Sequence, residues 1–452
     1  MKALSILFDR HTRTALWTIA LPIAMQNLIT YTTNMMDTVM LGQLGEVAIS
    51  GTSLGNQFGT IFMVLTFGIA SGTNILLSQY WGKGDSASMH SILAVMYRVT
   101  LVLDILFFIC ARFFPAQIMA IFSPDAEVIA AGAQYLKIVC YAYFMNGISN
   151  VVLMSLRSVG TVKISVVVYI TSLFVNVFFN WALIFGHLGF PRLEIVGAAI
   201  ATIIARAVEI VIVLIYTFSF EKKIRMTPRS ILRYDHSFLR DYRHTVTPVI
   251  CNELLWSLGN SMLLVVMGRI GREFVTANTI STVTGQFVQV FIVGVCNAAA
   301  VLIGNAIGAE KYDYAKELAR ALLVLAVVLG VVSGLVMFLL RPFVVSLYNI
   351  PEATRILAMQ IMAVASVITF FQSLSFVGMM GILRGGGDAR FVLFCDVGFL
   401  WLFSIPLGFV AGLVWHWAPP LVYFILKSDE ILKIIAAVFR IWSGKWVTNL
   451  TR

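Results

Sequence analysis

The apolar residues of this chain are grouped into long blocks, and this grouping limits what the chain can fold into. Blocks of roughly 20 apolar residues alternate with short polar stretches, and that is the length an α-helix needs to cross a bilayer. Of the 452 residues, 59% are hydrophobic and 12% are charged, whereas a soluble domain has about 25% charged residues. This composition excludes a disordered chain and argues against a soluble enzyme.

The blocks predict twelve membrane-spanning helices with no room for a separate soluble domain. Several blocks exceed the minimum length, so we expect those helices to tilt or to extend beyond the bilayer. The predicted fold class is therefore an all-α polytopic membrane protein. The predicted spans are residues 14–39, 48–80, 92–113, 129–156, 163–186, 196–218, 244–269, 275–306, 317–341, 354–383, 390–413 and 418–441.

The distribution of Lys and Arg predicts the orientation in the membrane. With the N-terminus in the cytoplasm, 21 of the 32 basic residues lie at the termini or in cytoplasmic loops, and six lie in the opposite loops. Because cytoplasmic loops carry the excess of basic residues, we expect both termini to be cytoplasmic in a multi-pass protein of the plasma (inner) membrane. The basic stretch 219–243 is interpreted as a contact with anionic lipid rather than with nucleic acid.

The sequence also repeats itself at half its length. A shift of 226 residues aligns Pro22 with Pro248, and a shift of 227 aligns Arg157 with Arg384. Since each half contains six predicted spans, both halves enter the membrane from the same side. We expect two six-helix lobes related by a pseudo-twofold axis along the membrane normal, with the substrate path between them. The predicted domains are an N-terminal lobe, 1–218, a cytoplasmic linker loop, 219–243, and a C-terminal lobe, 244–452.

No motif points to nucleotide, metal or covalent chemistry. The sequence contains no P-loop, HExxH or GxSxG motif, and its five cysteines form no CxxC pair. The glycines at 385–387 are interpreted as a tight turn. We therefore expect no enzymatic activity and no cofactor, so uphill transport would be driven by a gradient of Na⁺ or H⁺.

Polar side chains inside the predicted spans are candidate functional residues, because each is costly in hydrocarbon. Asp37 lies near the outer end of the first span, while Asn176 and Asn180 are four residues apart on one face of the fifth. With the Thr202 hydroxyl, their oxygens would suit Na⁺ or a shared proton. Interhelical hydrogen bonding alone is the alternative interpretation.

Further charges inside the spans are candidates for binding the substrate or a proton. Some of them have the spacing of ion pairs within one helix, so a structural role is the alternative. Asp104 and Arg98 are instead expected at the membrane boundary. The candidates are Glu253, Asp396, Asp429, Glu430, Glu209 and Arg206.

At these residues the sequence resembles the multidrug and toxic compound extrusion (MATE) transporters over nearly its whole length. The order and spacing of the matching segments carry the resemblance. These segments are LPIAMQNLITYTTNMMDTVMLGQLG from Leu21, QYWGKGD from Gln79, LRSVG from Leu156, NVFFNWALIFG from Asn176, VGAAIAT from Val196 and LRGGGDARF from Leu383.

The resemblance implies two lobes around a central cleft and a cation site in the N-terminal lobe. Asp37 matches the acidic residue of the family's first helix, and Ala198 matches a backbone contributor. Asn176, Asn180 and Thr202 match the other site positions.

The chain also departs from the family's pattern. Some members have Asp where this chain has Asn180, and others have Glu where it has Trp256, three residues after Glu253. Some members also have Asp in the tenth helix, where this chain reads Phe-Gln-Ser at 371–373. A second cation site in the C-terminal lobe would therefore need other residues, such as Asp396 and the charges of the last span.

We therefore expect a cation-coupled antiporter that exports organic cations, drugs or other amphipathic compounds by alternating access. Its partners would be a small-molecule substrate and the lipid bilayer, and we expect a monomer. One alternative is a flippase or exporter of lipid or lipid-linked oligosaccharide, which a cleft lined by several arginines would favour. Another is a non-transporting membrane receptor or scaffold, against which the repeat and the buried carboxylates argue.

Overall fold

The computed structural model describes residues 9–44, 46–227, 237–348 and 350–451, and most of them lie in helices. The predicted linker 219–243 lies partly outside the described residues, at 228–236. The α-helices are α1 (Arg10–Gly42), α2 (Glu46–Lys83), α3 (Ser86–Phe113), α4 (Pro115–Phe122), α5 (Ala126–Ser158), α6 (Lys163–Phe185), α7 (Glu194–Ile215), α8 (Ser237–Ile270), α9 (Arg272–Val288), α10 (Val290–Gly308), α11 (Tyr312–Ser346), α12 (Glu352–Ser375), α13 (Ala389–Phe399), α14 (Ile405–Phe409), α15 (Pro419–Leu426) and α16 (Asp429–Ser443).

Within the described ranges, ten helices are long and apolar enough to cross a membrane, and they correspond to the second to eleventh predicted spans. The first predicted span is the continuous helix α1, whose many threonine and amide side chains lower its mean hydropathy. The twelfth is divided into α15 and α16 by a break at Lys427 and Ser428, and α16 begins with two acidic residues. The all-α polytopic fold is as predicted, while two spans are more polar than a simple membrane helix.

Two other elements differ from the predicted spans. The eighth span is divided at Gln289 into α9 and α10. A short helix, α4, follows α3 and begins at Pro115, a residue that fits the first turn because that position needs no backbone N–H donor. Block length alone shows neither feature, since both are local changes within or beside an apolar stretch.

Several helices contain π-helical turns. One continues α12 over Phe376–Leu383, and two others flank α14, at Leu400–Ser404 and Val410–Val414. Pro406 lies in α14 and lacks the N–H that a regular helix would use. Such turns are frequent at functional sites, and here they lie on the helices that carry Arg384 and Asp396.

The described chain folds into two compact units. We call Met25–Leu77 with Ser86–Val246 the N-unit, and Met1–Ala24 with Ser78–Asp85 and Thr247–Arg452 the C-unit. The first turns of α1 thus pack with the C-unit, although they precede the rest of the N-terminal half in sequence. The division at the 219–243 loop stays a prediction about the two lobes.

An aromatic core holds the N-unit together. Phe62 of α2 is fully buried and packs against Phe107 of α3 and Tyr143 of α5, with ring centroids 5.3 and 5.1 Å away. Rings at this separation add to the apolar area that they bury. The core fixes the positions of α2, α3 and α5, and Tyr143 also lines the cavity described below.

In the C-unit, the C-terminal segment packs on the glycine turn at 385–387. Trp446 is fully buried, and a Cβ atom at Gly386 would overlap its ring. The Thr448 N–H donates to the Gly386 carbonyl at 3.0 Å, and Gly387 has a φ of +95°. The glycines therefore form a turn, as predicted, and also make room for this segment.

Candidate cation and substrate site

The N-unit brings together the three polar residues predicted for its cation site on α1 and α6. The Asn180 amide donates to Asp37 Oδ1 at 2.5 Å and to Asn176 Oδ1 at 3.1 Å. Their four-residue spacing places Asn176 and Asn180 on one face of α6, and both are buried. A carboxylate and two amides thus form one hydrogen-bonded cluster. The Asn180 Oδ1 atom is buried and accepts no hydrogen bond from the described part of the chain.

Thr202 and Ala198 lie on α7, and Thr202 lines the same cavity as Asp37. The Thr202 hydroxyl donates to the Ala198 carbonyl at 3.0 Å, one turn earlier in the helix. This bond uses the hydroxyl proton and leaves the hydroxyl oxygen free to accept. The Thr202 oxygen can therefore bind a cation or accept from a donor, and the Tyr135 hydroxyl is its hydrogen-bonding neighbour. The Ala198 carbonyl already accepts from Thr202.

A cavity of about 370 Å³ opens beside this cluster, entirely within the N-unit. Most of its lining residues are polar, and hydroxyl and amide groups outnumber charges. Four of the lining threonines donate to their own helix backbone, so their oxygens remain acceptors. The lining residues are Asn34, Asp37, Thr38, Leu41, Thr52, Ser53, Asn56, Gly59, Thr60, Met63, Tyr135, Val139, Ala142, Tyr143, Asn146, Thr202 and Arg206.

Arg206 brings a positive charge to the same cavity. Its Nη1 atom donates to Glu209 Oε2 at 2.6 Å, across one turn of α7. Glu209 is fully buried, whereas the Arg206 side chain is 25% exposed. Ser172 of α6 donates to the same Glu209 oxygen at 3.4 Å. Both sequence candidates therefore lie in one ion pair, and only Arg206 lines the cavity.

The C-unit collects the other candidate charges around Lys433. The Lys433 Nζ atom lies 2.6 Å from Asp396, 2.7 Å from Asp429 and 3.6 Å from Glu430. All four side chains are buried. Asn252 donates to Asp396 at 3.1 Å. Spacing within α16 predicts the contact of Lys433 with Asp429, but the contact with Asp396 on α13 joins two helices and needs the fold.

Glu253 also has a buried basic partner. Arg384 Nη1 donates to Glu253 Oε1 at 2.7 Å, and both side chains are buried. The sequence pattern did not identify Arg384 as this partner, although a signal exists in the internal repeat. The shift of 227 aligns Arg157 with Arg384, and the shift of 226 that aligns Pro22 with Pro248 places Gln26 on Asn252, the residue before Glu253. Arg157 donates to Gln26 at 3.3 Å.

Asp104 corrects the expectation of a charge at the membrane boundary. It is fully buried on α3, and a Cβ atom at Gly147 of α5 would overlap its carboxylate. Neither carboxylate oxygen has a hydrogen-bond partner among the residues that the structure describes. Thr100 and Phe107, one turn before and after, are buried on the same face. Apolar residues all around α3 conceal this buried face in the sequence.

Comparison with known proteins identifies the class and the family to which this chain belongs. The MatE family model matches residues 22–182 and 248–410. The chain is 27% identical over 434 residues to the probable multidrug resistance protein NorM of Rhizobium meliloti (strain 1021), covering 90% of this chain and 89% of that protein. It is 21% identical over 413 residues to the uncharacterized transporter YisQ of Bacillus subtilis (strain 168), covering 91% and 90%.

Solved structures show the same fold. The Vibrio cholerae MATE transporter VcmN in its bent form superposes with a TM-score of 0.86, at 15% identity over 98% of each chain. A transporter from Pyrococcus furiosus superposes with a TM-score of 0.83, at 17% identity over 95% of this chain and 94% of that chain. Together these matches define a multi-pass membrane transporter. The chain belongs to the MATE family, whose members have twelve helices in two lobes, so the predicted family and fold class are confirmed.

Proposed function

We propose that this MATE transporter is a cation-coupled antiporter that exports amphipathic or cationic small molecules from the cell. The observation that carries the proposal is the cluster of Asp37, Asn176 and Asn180 beside a polar cavity large enough for a small molecule. Asp37 supplies the negative charge, and the amides and Thr202 supply neutral oxygens. This set of groups suits Na⁺ or a proton.

Coupling would follow from the position of Asp37. A carboxylate that lines the substrate cavity interacts with a cationic substrate and with the coupling ion, so occupancy by one weakens binding of the other. The two effects are a single free energy of interaction and must be reciprocal. Alternating access of the two lobes would then carry the substrate outward and the ion inward. No cofactor is needed for this cycle.

Export of rhodamine 123 from proteoliposomes tests the proposal. Na⁺ and pH gradients are imposed separately, and the dye reports on transport of a lipophilic cation. We expect one of the two gradients to drive export in the wild type, and neither gradient to drive it in the Asp37→Asn variant. If Asp37→Asn exports the dye at the wild-type rate under a limiting gradient, Asp37 is not the coupling site.

The proposal also places the protein in the plasma membrane with both termini in the cytoplasm. Lys222, which is exposed, lies in the predicted cytoplasmic loop, and Glu352, which is also exposed, lies in a predicted outer loop. Single cysteines at these positions in a cysteine-free background provide a matched pair. An impermeant thiol reagent applied to intact cells should label Glu352→Cys and spare Lys222→Cys. The reverse pattern would overturn the orientation.

A further inference from the structure

Two opposite charges line the cavity of the N-unit, and they come from different helices. Asp37 lies on α1 and Arg206 lies on α7. Asp37 accepts from Asn180, and Arg206 is paired with Glu209. The two charges therefore line one cavity while each has its own partner. A ligand in the cavity can reach both.

The exposure of Arg206 distinguishes it from an arginine that only neutralises a buried carboxylate. Arg384 is an arginine of the latter kind, because it pairs with the buried Glu253 and its own side chain is 4% exposed. Arg206 pairs with a carboxylate that is fully buried, yet its own side chain is 25% exposed. A guanidinium has five N–H donors, and the Glu209 bond uses one of them. The cavity thus receives a planar donor group suited to a ligand carboxylate.

The remaining lining favours a polar ligand over a purely lipophilic cation. Small-molecule pockets are usually lined mainly by apolar and aromatic side chains. Here amide and hydroxyl groups lie around the two charges, among them those of Asn34, Asn56 and Asn146. The Tyr135 hydroxyl donates to Asn56 Oδ1 at 3.1 Å, which leaves the side-chain N–H groups of Asn56 as its remaining donors.

We propose that Asp37 and Arg206 form a two-point site for a zwitterionic ligand. The cationic group of the ligand would lie at Asp37, and its anionic group would lie at Arg206. This inference rests on the proposed function, because it assigns the class of substrate to the same cavity. It also gives Arg206 a role in specificity that a structural ion pair would not have.

Two dyes with the same ring system test this assignment. Rhodamine 110 carries a free carboxylate and is zwitterionic, and rhodamine 123 is its methyl ester and carries a positive charge only. Fluorescence anisotropy gives the Kd of each dye for the purified full-length protein in detergent at one fixed pH. We expect the wild type to bind rhodamine 110 about tenfold or more tightly than rhodamine 123, as a hydrogen bond to a charged group would give.

The Arg206→Gln variant should remove this preference. We expect weaker binding of rhodamine 110 and tighter binding of rhodamine 123, because a like charge leaves the cavity. Since this variant leaves Glu209 buried without its cation, the double variant Arg206→Gln/Glu209→Gln provides the folded control. Arg206→Lys keeps the charge and should keep part of the preference.

Equal affinities of the two dyes in the wild type would overturn the two-point site. An unchanged preference in the folded double variant would overturn it as well. The proposed function has a separate test, since it requires gradient-driven export of rhodamine 123 that depends on Asp37. If that export holds while rhodamine 110 has no advantage, only the zwitterion site fails.

Discussion

The N-unit and the C-unit place their charged residues at matching positions of the repeat but use them differently. The 227-residue shift aligns Arg206 with Lys433 and Thr202 with Asp429. In the C-unit, Lys433 lies among three carboxylates and is buried with them. In the N-unit, Arg206 lines a cavity of about 370 Å³. One half encloses these charges, and the other places one of them beside a cavity.

This difference separates two roles of charge inside a membrane protein. Enclosed charges that satisfy one another hold helices in a fixed arrangement, although their net contribution to stability is small. Charges that face a cavity remain available to an ion or a substrate. The comparison therefore predicts that substitutions in the C-unit cluster act mainly on stability, and that substitutions at the N-unit cavity act mainly on transport.

The largest effect on stability is expected at Lys433. Lys433→Met leaves the carboxylates of Asp396, Asp429 and Glu430 buried without their central cation, and removal of one partner of a buried pair costs about 3–5 kcal/mol. The apparent unfolding temperature in detergent should fall sharply. Arg206→Met is the matched variant, and its loss should be smaller because it leaves one buried carboxylate, Glu209, without its cation, where Lys433→Met leaves three. Equal losses of unfolding temperature in the two variants would contradict the different roles that we assign to charges in the two units.

The largest effect on transport is expected at Asp37. Asp37→Asn keeps the size of the side chain and removes its charge, so the unfolding temperature should change little. Gradient-driven export should fall by about two orders of magnitude or more if the carboxylate carries about 3 kcal/mol of coupling free energy. The Asp104→Asn variant makes the same change in the same unit, away from the residues that line the cavity, and should export at nearly the wild-type rate. Comparable losses in both variants would point to a general effect of removing a carboxylate from this unit.

A smaller effect is expected at Glu253. Glu253→Gln gives Arg384 the kind of partner that Arg157 already has in Gln26. The hydrogen bond remains and the ion pair is lost, so unfolding should be easier by about 1–3 kcal/mol. Export of cationic and neutral substrates should change alike. A selective loss for cations would show that Glu253 binds substrate, and the C-unit would then have a transport site of its own.

The sequence predicts the helices better than it predicts their partners. Most spans follow from apolar blocks of bilayer length, because the membrane imposes that length on each helix. The cluster of Asp37, Asn176 and Asn180 was identified because polar groups in apolar spans are rare. The partner of Glu253 was not, since Arg384 is 131 residues away and pairs with it only after folding.

Local breaks were also difficult to predict. The division of the last span at Lys427 and the π-helical turns near Pro406 depend on how a helix packs against its neighbours. The burial of Asp104 depends on the absence of a side chain at Gly147, on another helix. The apolar pattern of α3 shows that the helix is membrane-embedded, but it does not show which face contacts protein.

The smallest effect is expected at Asp104, where the change should be stabilising. Its carboxylate is buried against Gly147 and has no hydrogen-bond partner within the described ranges. A buried carboxyl without a partner must either carry an unsolvated charge or take up a proton, and Asp104→Asn avoids both costs at nearly constant volume. We expect the free energy of unfolding to rise by about 1 kcal/mol, seen as a higher unfolding temperature in detergent.

The matched variant in the C-unit is Asp396→Asn, which makes the same substitution at a paired carboxylate. This variant should lower the free energy of unfolding, because Asp396 lies 2.6 Å from Lys433 and accepts from Asn252. A loss of stability in both variants would mean that Asp104 has a partner after all, either a neighbouring donor or a bound ion. Opposite signs would instead show that the N-unit tolerates an unpaired acid at Asp104, whereas the C-unit depends on the pairing of Asp396 with Lys433.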